Sequence, residues 1–211
     1  MRTEQLYART SRNRLAIADV LDSLDAEQWD AATLCKGWTV RHVAAHLLQP
    51  MLVGFPRFFL TAVRYRGDTL RTVDHFARVL ARNQPDQLVA LLRAHAPAQV
   101  DPPRVGPIGP FAETCIHLRD IARPLGLAAT APQEDWIALL DHLTSDGPTP
   151  ALATSQRTAG ISLEATDAEW RSGSGPRVSG STEALTMAIT GRVPALDDLH
   201  GPGVDLLRAR L

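Results

Sequence analysis

The chain is short of several residue types, and each shortage argues against a class of protein. Only two of its 211 residues are cysteines, Cys35 and Cys115, which is too few for the disulfide framework of a small secreted protein and fits a reducing cytosol. Lys36 is the only lysine, so arginine supplies the other positive charges. The formal net charge is −1, and the overall charge therefore gives no reason to expect binding to nucleic acid or to an anionic membrane.

Long uninterrupted apolar runs are also missing. The N-terminus has neither an apolar core nor a small-residue cleavage site, so we predict no secretory signal. The longest apolar segment, 47–63, contains Gln49, Pro50, Pro56 and Arg57. A membrane helix needs about 20 apolar residues, and an arginine near its centre costs roughly 2.5–3.5 kcal/mol. We therefore predict a buried helix in this segment, no membrane span and a cytoplasmic location.

Helical periodicity is present in the first two thirds of the chain, and strand-like patterns follow it. Predicted helices cover 3–24, a segment from 40 onward that Thr39 caps and Pro50 kinks or interrupts, 69–95 with a break at 83–85, 110–127, and 132–143. Short strands are predicted in GISLEA and EWRSGSGPRVSG, and a helix in STEALTMAITGR. We therefore predict a mainly α protein with a helical bundle at 1–147 and a small C-terminal α+β domain at 148–211.

The stretch LCKGWTVRHVAAHLL places two histidines four residues apart on one predicted helix. At about 100° per residue, Val40, Val43 and Leu47 form an apolar stripe. His46 falls inside that stripe or at its edge, and His42 falls further out. A lone inward histidine is more often a hydrogen-bonded core residue than a ligand, so His46 alone does not identify a site.

A second group of polar residues lies on the predicted helix at 110–127. Glu113 and His117 are four residues apart and share one face, which Asp120 continues. These residues form either a solvated stripe or, with His46, a metal site in which Asp120 orients a ligand. Two histidines and one glutamate leave an open position on a tetrahedral ion, as in catalytic zinc sites. The sequence contains no HExxH, GxSxG, phosphate-binding glycine loop or CxxC motif.

These motifs resemble a known family. GWTVRHVAAHL, followed much later by ETCIHLRDIARPLG, is similar to the mycothiol-dependent maleylpyruvate isomerase family of the DinB-like metalloprotein superfamily, and the C-terminal tail resembles a module often attached there. The resemblance implies an up-down four-helix bundle with a divalent metal, usually zinc, held by His46, Glu113 and His117. That family commonly has aspartate where His42 stands, so this change is either neutral or adds an imidazole beside the metal.

The resemblance also implies thiol chemistry. The metal would bind the sulfur of a low-molecular-weight thiol, mycothiol in this family, for attack on a small electrophilic substrate such as maleylpyruvate. The outcome would be conjugation, S-transfer or cis–trans isomerisation. Two alternatives stay open: a non-catalytic module that binds a metal or small molecule on the same fold, and metal-assisted hydrolysis with Asp120 as base. The C-terminal module is interpreted as a cover for the bundle or as the contact of a homodimer.

Four further residues are predicted to have only packing roles. We interpret Trp29 and Trp38 as core anchors, and Cys35 and Cys115 as small packing residues. Cys115 lies about 160–200° around its helix from Glu113 and His117, so its side chain is predicted to face away from any metal.

Overall fold

The computed structural model describes residues 1–103, 105–145, 147, 149–150, 152–153 and 155–211. The chain forms two compact units, Met1–Thr130 and Ala131–Leu211. The helices of the first unit are α1 (Thr3–Asp22), α2 (Ala26–Trp29), α3 (Val40–Leu52), α4 (Phe55–Arg64), α5 (Thr69–Leu80), α6 (Pro85–Ala94) and α7 (Ile108–Ala122). Helices α1, α3, α6 and α7 pack around one apolar core, with α5 against α3.

The core of the first unit follows the predicted apolar stripes. Helix α1 contributes Ile17 and Leu21, α3 contributes Val43 and Leu48, and Trp29 of α2 is buried beside them. Burying a side chain of this size contributes roughly 1.5–3 kcal/mol. The predicted helical bundle and the role of Trp29 as a core anchor are confirmed.

Helix α3 differs from its prediction at Pro50. The helix continues through this proline to Leu52, and the backbone N–H of Val53 still donates to the Gln49 carbonyl at 2.9 Å. The change of direction comes after the proline, because α3 and α4 are bent by 119° at the break between them. The prediction that Pro50 interrupts the helix was therefore wrong, and whether it kinks the helix stays a prediction.

The predicted buried helix at 47–63 is corrected as well. Helix α3 is buried along most of its length, whereas α4 has no buried residue. Composition alone cannot distinguish the two helices, because both are apolar and only one has neighbours on most sides. Among the described residues, no single helix is long and apolar enough to span a membrane; the bent pair of α3 and α4 passes that test by length and composition only.

The second unit contains the predicted small sheet. Its helices are α8 (Gln133–Leu143), α9 (Ser155–Thr158), α10 (Thr182–Ile189) and α11 (Val204–Arg208), and its strands are β1 (Ser162–Ala165), β2 (Arg171–Gly173) and β3 (Arg177–Gly180). The strand order is β2-β1-β3, with β2 antiparallel and β3 parallel to β1. Leu163 of β1 lies opposite Val178 of β3, and both side chains are buried. The mainly α fold with a small C-terminal α+β part is thus confirmed.

The division into units falls earlier than the predicted boundary at 147/148. Helix α8 packs against α10 and belongs to the second unit. Its buried face includes Trp136, Leu139 and Leu140. Whether the segments 1–147 and 148–211 are separate domains in the folding sense stays a prediction.

Candidate metal centre

A tight turn leads into α3 and positions two side chains of the site. The backbone N–H of Trp38 donates to the Cys35 carbonyl at 2.9 Å, and Gly37 has a φ of 80°. A β-turn with a left-handed third residue favours glycine at that position, because a Cβ there is strained. The Leu34 N–H donates to the Asp120 carbonyl at 3.1 Å, so this turn is held against α7.

His42 lies in the first turn of α3. Its Nδ1 accepts the backbone N–H of Thr39, the residue preceding the helix, at 3.2 Å and lies 2.9 Å from the Thr39 hydroxyl. The ring therefore satisfies a backbone donor at the helix start. Burial and the positive charge of Arg78 hold the pKa of His42 below its usual value. Whether a histidine at this position is neutral or adds an imidazole beside the metal is not decided by this contact.

His46 lies one turn further along α3 and is 8% exposed. Its ring packs against Trp38 at a centroid distance of 5.1 Å and against His117 at 5.0 Å. Its Nδ1 is buried and has no hydrogen-bond partner among the described residues. A buried unpaired polar atom costs about 1–3 kcal/mol, so His46 is not the hydrogen-bonded core histidine that the simpler interpretation requires.

Glu113 approaches His46 from α7. Its Oε1 lies 3.7 Å from His46 Nε2, and its side chain is half-buried. Burial raises the pKa of Glu113, but the contact with His46 and the charges of His46, His117 and Arg14 outweigh it, so the pKa lies below its usual value. The carboxyl group is therefore kept as a carboxylate, the form that binds cations.

His117 lies one turn after Glu113 and is fixed by its neighbours. Its Nδ1 is 2.8 Å from Asp120 Oδ2, and Asp120 has no exposed surface. A carboxylate accepts hydrogen bonds, so the proton lies on Nδ1 and leaves the lone pair on Nε2. This is the arrangement by which a carboxylate orients a metal-binding histidine.

Cys35, in the turn before α3, contacts the same Asp120 carboxylate. Its Sγ donates to Asp120 Oδ2 at 3.2 Å and lies 3.7 Å from His117 Nδ1. Within the described part of the chain, Cys35, His117 and Asp120 form the one set of three donor atoms that all lie within 4.8 Å of each other. The interpretation of Cys35 as a residue with only a packing role was wrong, because its side chain contacts the site.

The distances between donor atoms distinguish two possible cation sites, one around Asp120 and one between His46 and Glu113. Two ligands on a tetrahedral zinc ion lie about 3.3 Å apart for nitrogen or oxygen donors, and about 3.6 Å apart when one is sulfur. The 2.8 and 3.2 Å separations around Asp120 are shorter and suit shared protons. The 3.7 Å separation of His46 from Glu113 suits two ligands of one ion. The donor set of two imidazoles and a carboxylate fits zinc.

Trp38 forms a wall of the site, and its hydrogen bond continues onto α5. Its indole Nε1 donates to Asp74 Oδ1 at 2.9 Å, and Asp74 pairs with Arg78 at 2.9 Å. The hydrogen bond from Arg78 holds the pKa of Asp74 below its usual value, despite some burial. The sequence interpretation of Trp38 as a core anchor missed this link, since nothing in the pattern connects residues 36 apart.

The residues singled out in the sequence therefore divide into three groups: two of candidate site residues, and Cys115, which was predicted only to pack. The structure brings His46 Nε2 within 3.7 Å of Glu113 Oε1 and its ring within 5.0 Å of the His117 ring, and it brings Asp120 against His117. The donor atoms of His46, Glu113 and His117 do not all lie within 4.8 Å of each other. It places His42 at the start of α3, hydrogen-bonded to Thr39. Cys115 is buried and accepts from Asn13 Nδ2 of α1 at 3.4 Å. The ligand set itself, His46, Glu113 and His117, stays a prediction.

Comparisons with known proteins identify a family and a shared fold. A family model described as the mycothiol maleylpyruvate isomerase N-terminal domain matches residues 11–198. Crystal structures of the mycothiol-dependent maleylpyruvate isomerase and of a histidine-to-alanine mutant of it superpose with TM-scores of 0.60 and 0.63. Each is 15% identical and covers 96% of this chain and 93% of its own. A comparison with the curated proteins finds no match.

These findings differ in what they establish. At 15% identity the two crystal structures show a shared fold, the DinB-like bundle with its small C-terminal part. The family model spans far more than half of the chain and most of both compact units. The chain belongs to the mycothiol maleylpyruvate isomerase N-terminal domain family.

Proposed function

We propose that this protein is a metal-dependent enzyme that uses mycothiol as a cosubstrate. It would act on a small electrophilic substrate of the maleylpyruvate type, either by isomerising it or by transferring sulfur to it. The ligands would be His46, Glu113 and His117, with zinc as the fitting ion. One observation carries the proposal: two distant helices bring His46 Nε2 within 3.7 Å of Glu113 Oε1, with the His117 ring 5.0 Å from that of His46.

A bound divalent ion would supply a Lewis acid that lowers the pKa of a thiol and makes it nucleophilic at neutral pH. The chain's own residues prepare the position for that ion. Asp120 holds the Nδ1 proton of His117, so Nε2 is available as a donor without a change of tautomer. The lowered pKa keeps Glu113 ionised at neutral pH, where its negative charge attracts the cation.

The surroundings of these donors limit the access of water. Trp38 covers one side of His46, and the buried Asp120 closes the position behind His117. An electrostatic interaction is stronger in such a low-dielectric position than at an exposed one. This arrangement supports binding of a thiol and substrate from the open side, where Glu113 retains exposed surface.

The test begins with elemental analysis of protein purified without chelator. We expect about one divalent ion per chain in the wild type and its loss in His46→Ala. The exposed His200 offers a matched control, and His200→Ala should keep the metal. Circular dichroism would verify that both variants fold. A metal-free wild type would contradict the proposal.

A second measurement separates catalysis from binding. The metal-loaded protein should convert maleylpyruvate only when mycothiol is present, and His46→Ala should reduce the rate by at least a hundredfold. A metal-loaded protein without turnover of maleylpyruvate or of a generic electrophile such as a bimane would instead support a non-catalytic binding module.

A further inference from the structure

Helix α4 exposes an apolar face that the proposed site does not use. Its large exposed side chains are Phe55, Phe59, Leu60 and Val63, and Leu70 at the start of α5 adds to them. Phe55, Leu60 and Leu70 are 67%, 68% and 83% exposed. We call these five residues the α4 patch. Single exposed apolar residues are ordinary, but a contiguous group marks an interaction surface.

Four of the five residues form a stripe on one side of α4. At about 100° per residue, Phe55, Phe59 and Val63 fall within an arc of about 80°, and Leu60 extends it to about 140°. The rings of Phe55 and Phe59 stack at 6.0 Å. The opposite side of α4 is already covered, since Phe58 stacks on Phe76 of α5 at 6.0 Å. Among the described residues, α4 is thus packed on α5 by one face, and its other face is exposed.

Positive charge borders the patch. The segment 55–71 contains four arginines and one aspartate, a net charge of +3, although the whole chain has −1. The arginines are Arg57, Arg64, Arg66 and Arg71; in the described part of the chain none of them forms an ion pair with a carboxylate. The single aspartate, Asp68, caps α5 by accepting the Arg71 N–H at 2.9 Å.

Arg64 lies along one edge of the apolar stripe. Arg57 shares that edge of the helix, and its guanidinium packs over the Phe76 ring of α5 at 5.5 Å. On the helix the two arginines fall at about 180–200° from Phe55, directly beyond Leu60. Long arginine side chains at such an edge extend toward lipid head groups while the apolar face enters the acyl boundary. Apolar aromatic side chains bordered by arginine are the pattern of a helix that lies in a membrane interface.

A second copy of this chain fits the patch less well. The exposed apolar area of the five side chains is on the order of 500 Å², since a whole aromatic side chain buries about 150–250 Å². A stable dimer of ordinary size buries about 800 Å² on each partner. Two copies would also bring two surfaces of the same charge together, whereas anionic lipid complements the charge.

We propose that the α4 patch binds reversibly to the surface of an anionic membrane, with its apolar side chains at the acyl boundary and its arginines at the lipid phosphates. This inference revises the prediction from overall net charge, because an average over 211 residues conceals a local excess of positive charge. It does not depend on the proposed function, since no residue of the patch belongs to the metal centre.

The experiment is vesicle flotation with the full chain. At low salt we expect at least tenfold more protein on vesicles of equimolar phosphatidylglycerol and phosphatidylcholine than on vesicles of phosphatidylcholine alone, and release as salt rises to about 0.5 M. The double variant Phe59→Glu/Leu60→Glu should lose at least tenfold of the binding. Leu15→Glu, at an exposed leucine of α1, is the matched control and should bind like the wild type.

A second pair of variants tests the charge. Arg64→Glu/Arg66→Glu should weaken binding to the anionic vesicles, while Arg82→Glu, at an exposed arginine outside the patch, should have little effect. Absence of binding by the folded wild type, equal binding to both vesicles, or binding that survives Phe59→Glu/Leu60→Glu would overturn the proposal. A dimer in sedimentation velocity that dissociates in this variant, without vesicle binding, would assign the patch to a second copy and would also overturn it.

Discussion

At the scale of single residues, one carboxylate oxygen organises much of the site. Asp120 Oδ2 lies within hydrogen-bond distance of both His117 Nδ1 and Cys35 Sγ. Because it is fully buried, its negative charge has to be compensated by donors from the protein. The role of Asp120 in orienting His117 was predictable from the three-residue spacing. The role of Cys35 was not, since its partner lies 85 residues away.

Replacement of Asp120 tests the orientation of His117. Asp120→Asn keeps the shape but removes the charge, so it should lower zinc affinity by about 10–100-fold, as loss of a ligand's hydrogen-bond partner commonly does. Competition against a chelator of known affinity measures the effect. Asp135→Asn, at a buried aspartate of the second unit, is the control and should leave the affinity unchanged. Wild-type affinity in folded Asp120→Asn would contradict the assignment.

Variants of Cys35 distinguish two roles for its thiol, a hydrogen-bond donor to Asp120 or a direct ligand of the metal. If its thiol donates to Asp120, Cys35→Ser should keep zinc affinity within a fewfold, and Cys35→Ala should reduce it by more. If Cys35 were a ligand, both variants would lose zinc. Cobalt substitution gives an independent readout, because a thiolate ligand produces an intense charge-transfer band. We expect no such band in the wild type without added thiol.

At the scale of elements, the turn before α3 is hydrogen-bonded to α7 through the Leu34 N–H and the Asp120 carbonyl. Its conformation depends on Gly37, which has a φ of 80° and no atom within 4 Å of an added Cβ. The effect of a substitution there is therefore one of the backbone and not of crowding. The sequence predicted a loop with glycine, but it did not predict the hydrogen bond by which the Leu34 N–H donates to the Asp120 carbonyl of α7.

Gly37→Ala should reduce the free energy of unfolding by about 1–2 kcal/mol, the cost of a left-handed conformation for an ordinary residue. Gly37→Asn should cost less, because asparagine tolerates this conformation better. Urea unfolding of both variants measures the difference. An equal loss of stability in the two variants would show that the left-handed conformation of residue 37 is not the cause of the loss.

Helices α3 and α4 show where sequence patterns stop being informative. Both segments are apolar, and the predicted buried helix covered parts of each. In the structure α3 packs against α5, α6 and α7, whereas α4 packs mainly against α5. The difference arises from long-range contacts, which local composition does not encode.

At the scale of the whole molecule, the helical bundle and the small sheet were predictable because their periodicities are local. The parallel pairing of β1 with β3 was not, since the turn at 173–176 suggests a simple hairpin, while β1 in fact lies between the other two strands. The boundary between the compact units was also not predictable from the sequence, because it depends on the packing of α8 against α10.

Stability of the whole chain should decrease with acid in a defined window. Burial lowers the pKa of His142 from its usual value of 6.5, and its Nε2 accepts the Thr149 N–H at 3.2 Å. A histidine with a lowered folded pKa contributes stability above pH 6.5, and this contribution is lost as pH falls through the folded pKa. His42 acts in the same direction. The lowered pKa values of Glu113 and Asp74 act only at lower pH, below 4.5 and 3.8.

The measurement is the urea midpoint of metal-free protein at pH 7.5 and pH 5.5, so that release of a metal does not contribute. We expect a lower midpoint at pH 5.5 in the wild type and a smaller decrease in His142→Gln, because glutamine stays neutral and can still accept a hydrogen bond. The half-buried His95 provides the control, and His95→Gln should show the wild-type decrease. A decrease in His142→Gln equal to that of the wild type would mean that the pKa of His142 does not change on folding, and it would contradict this prediction.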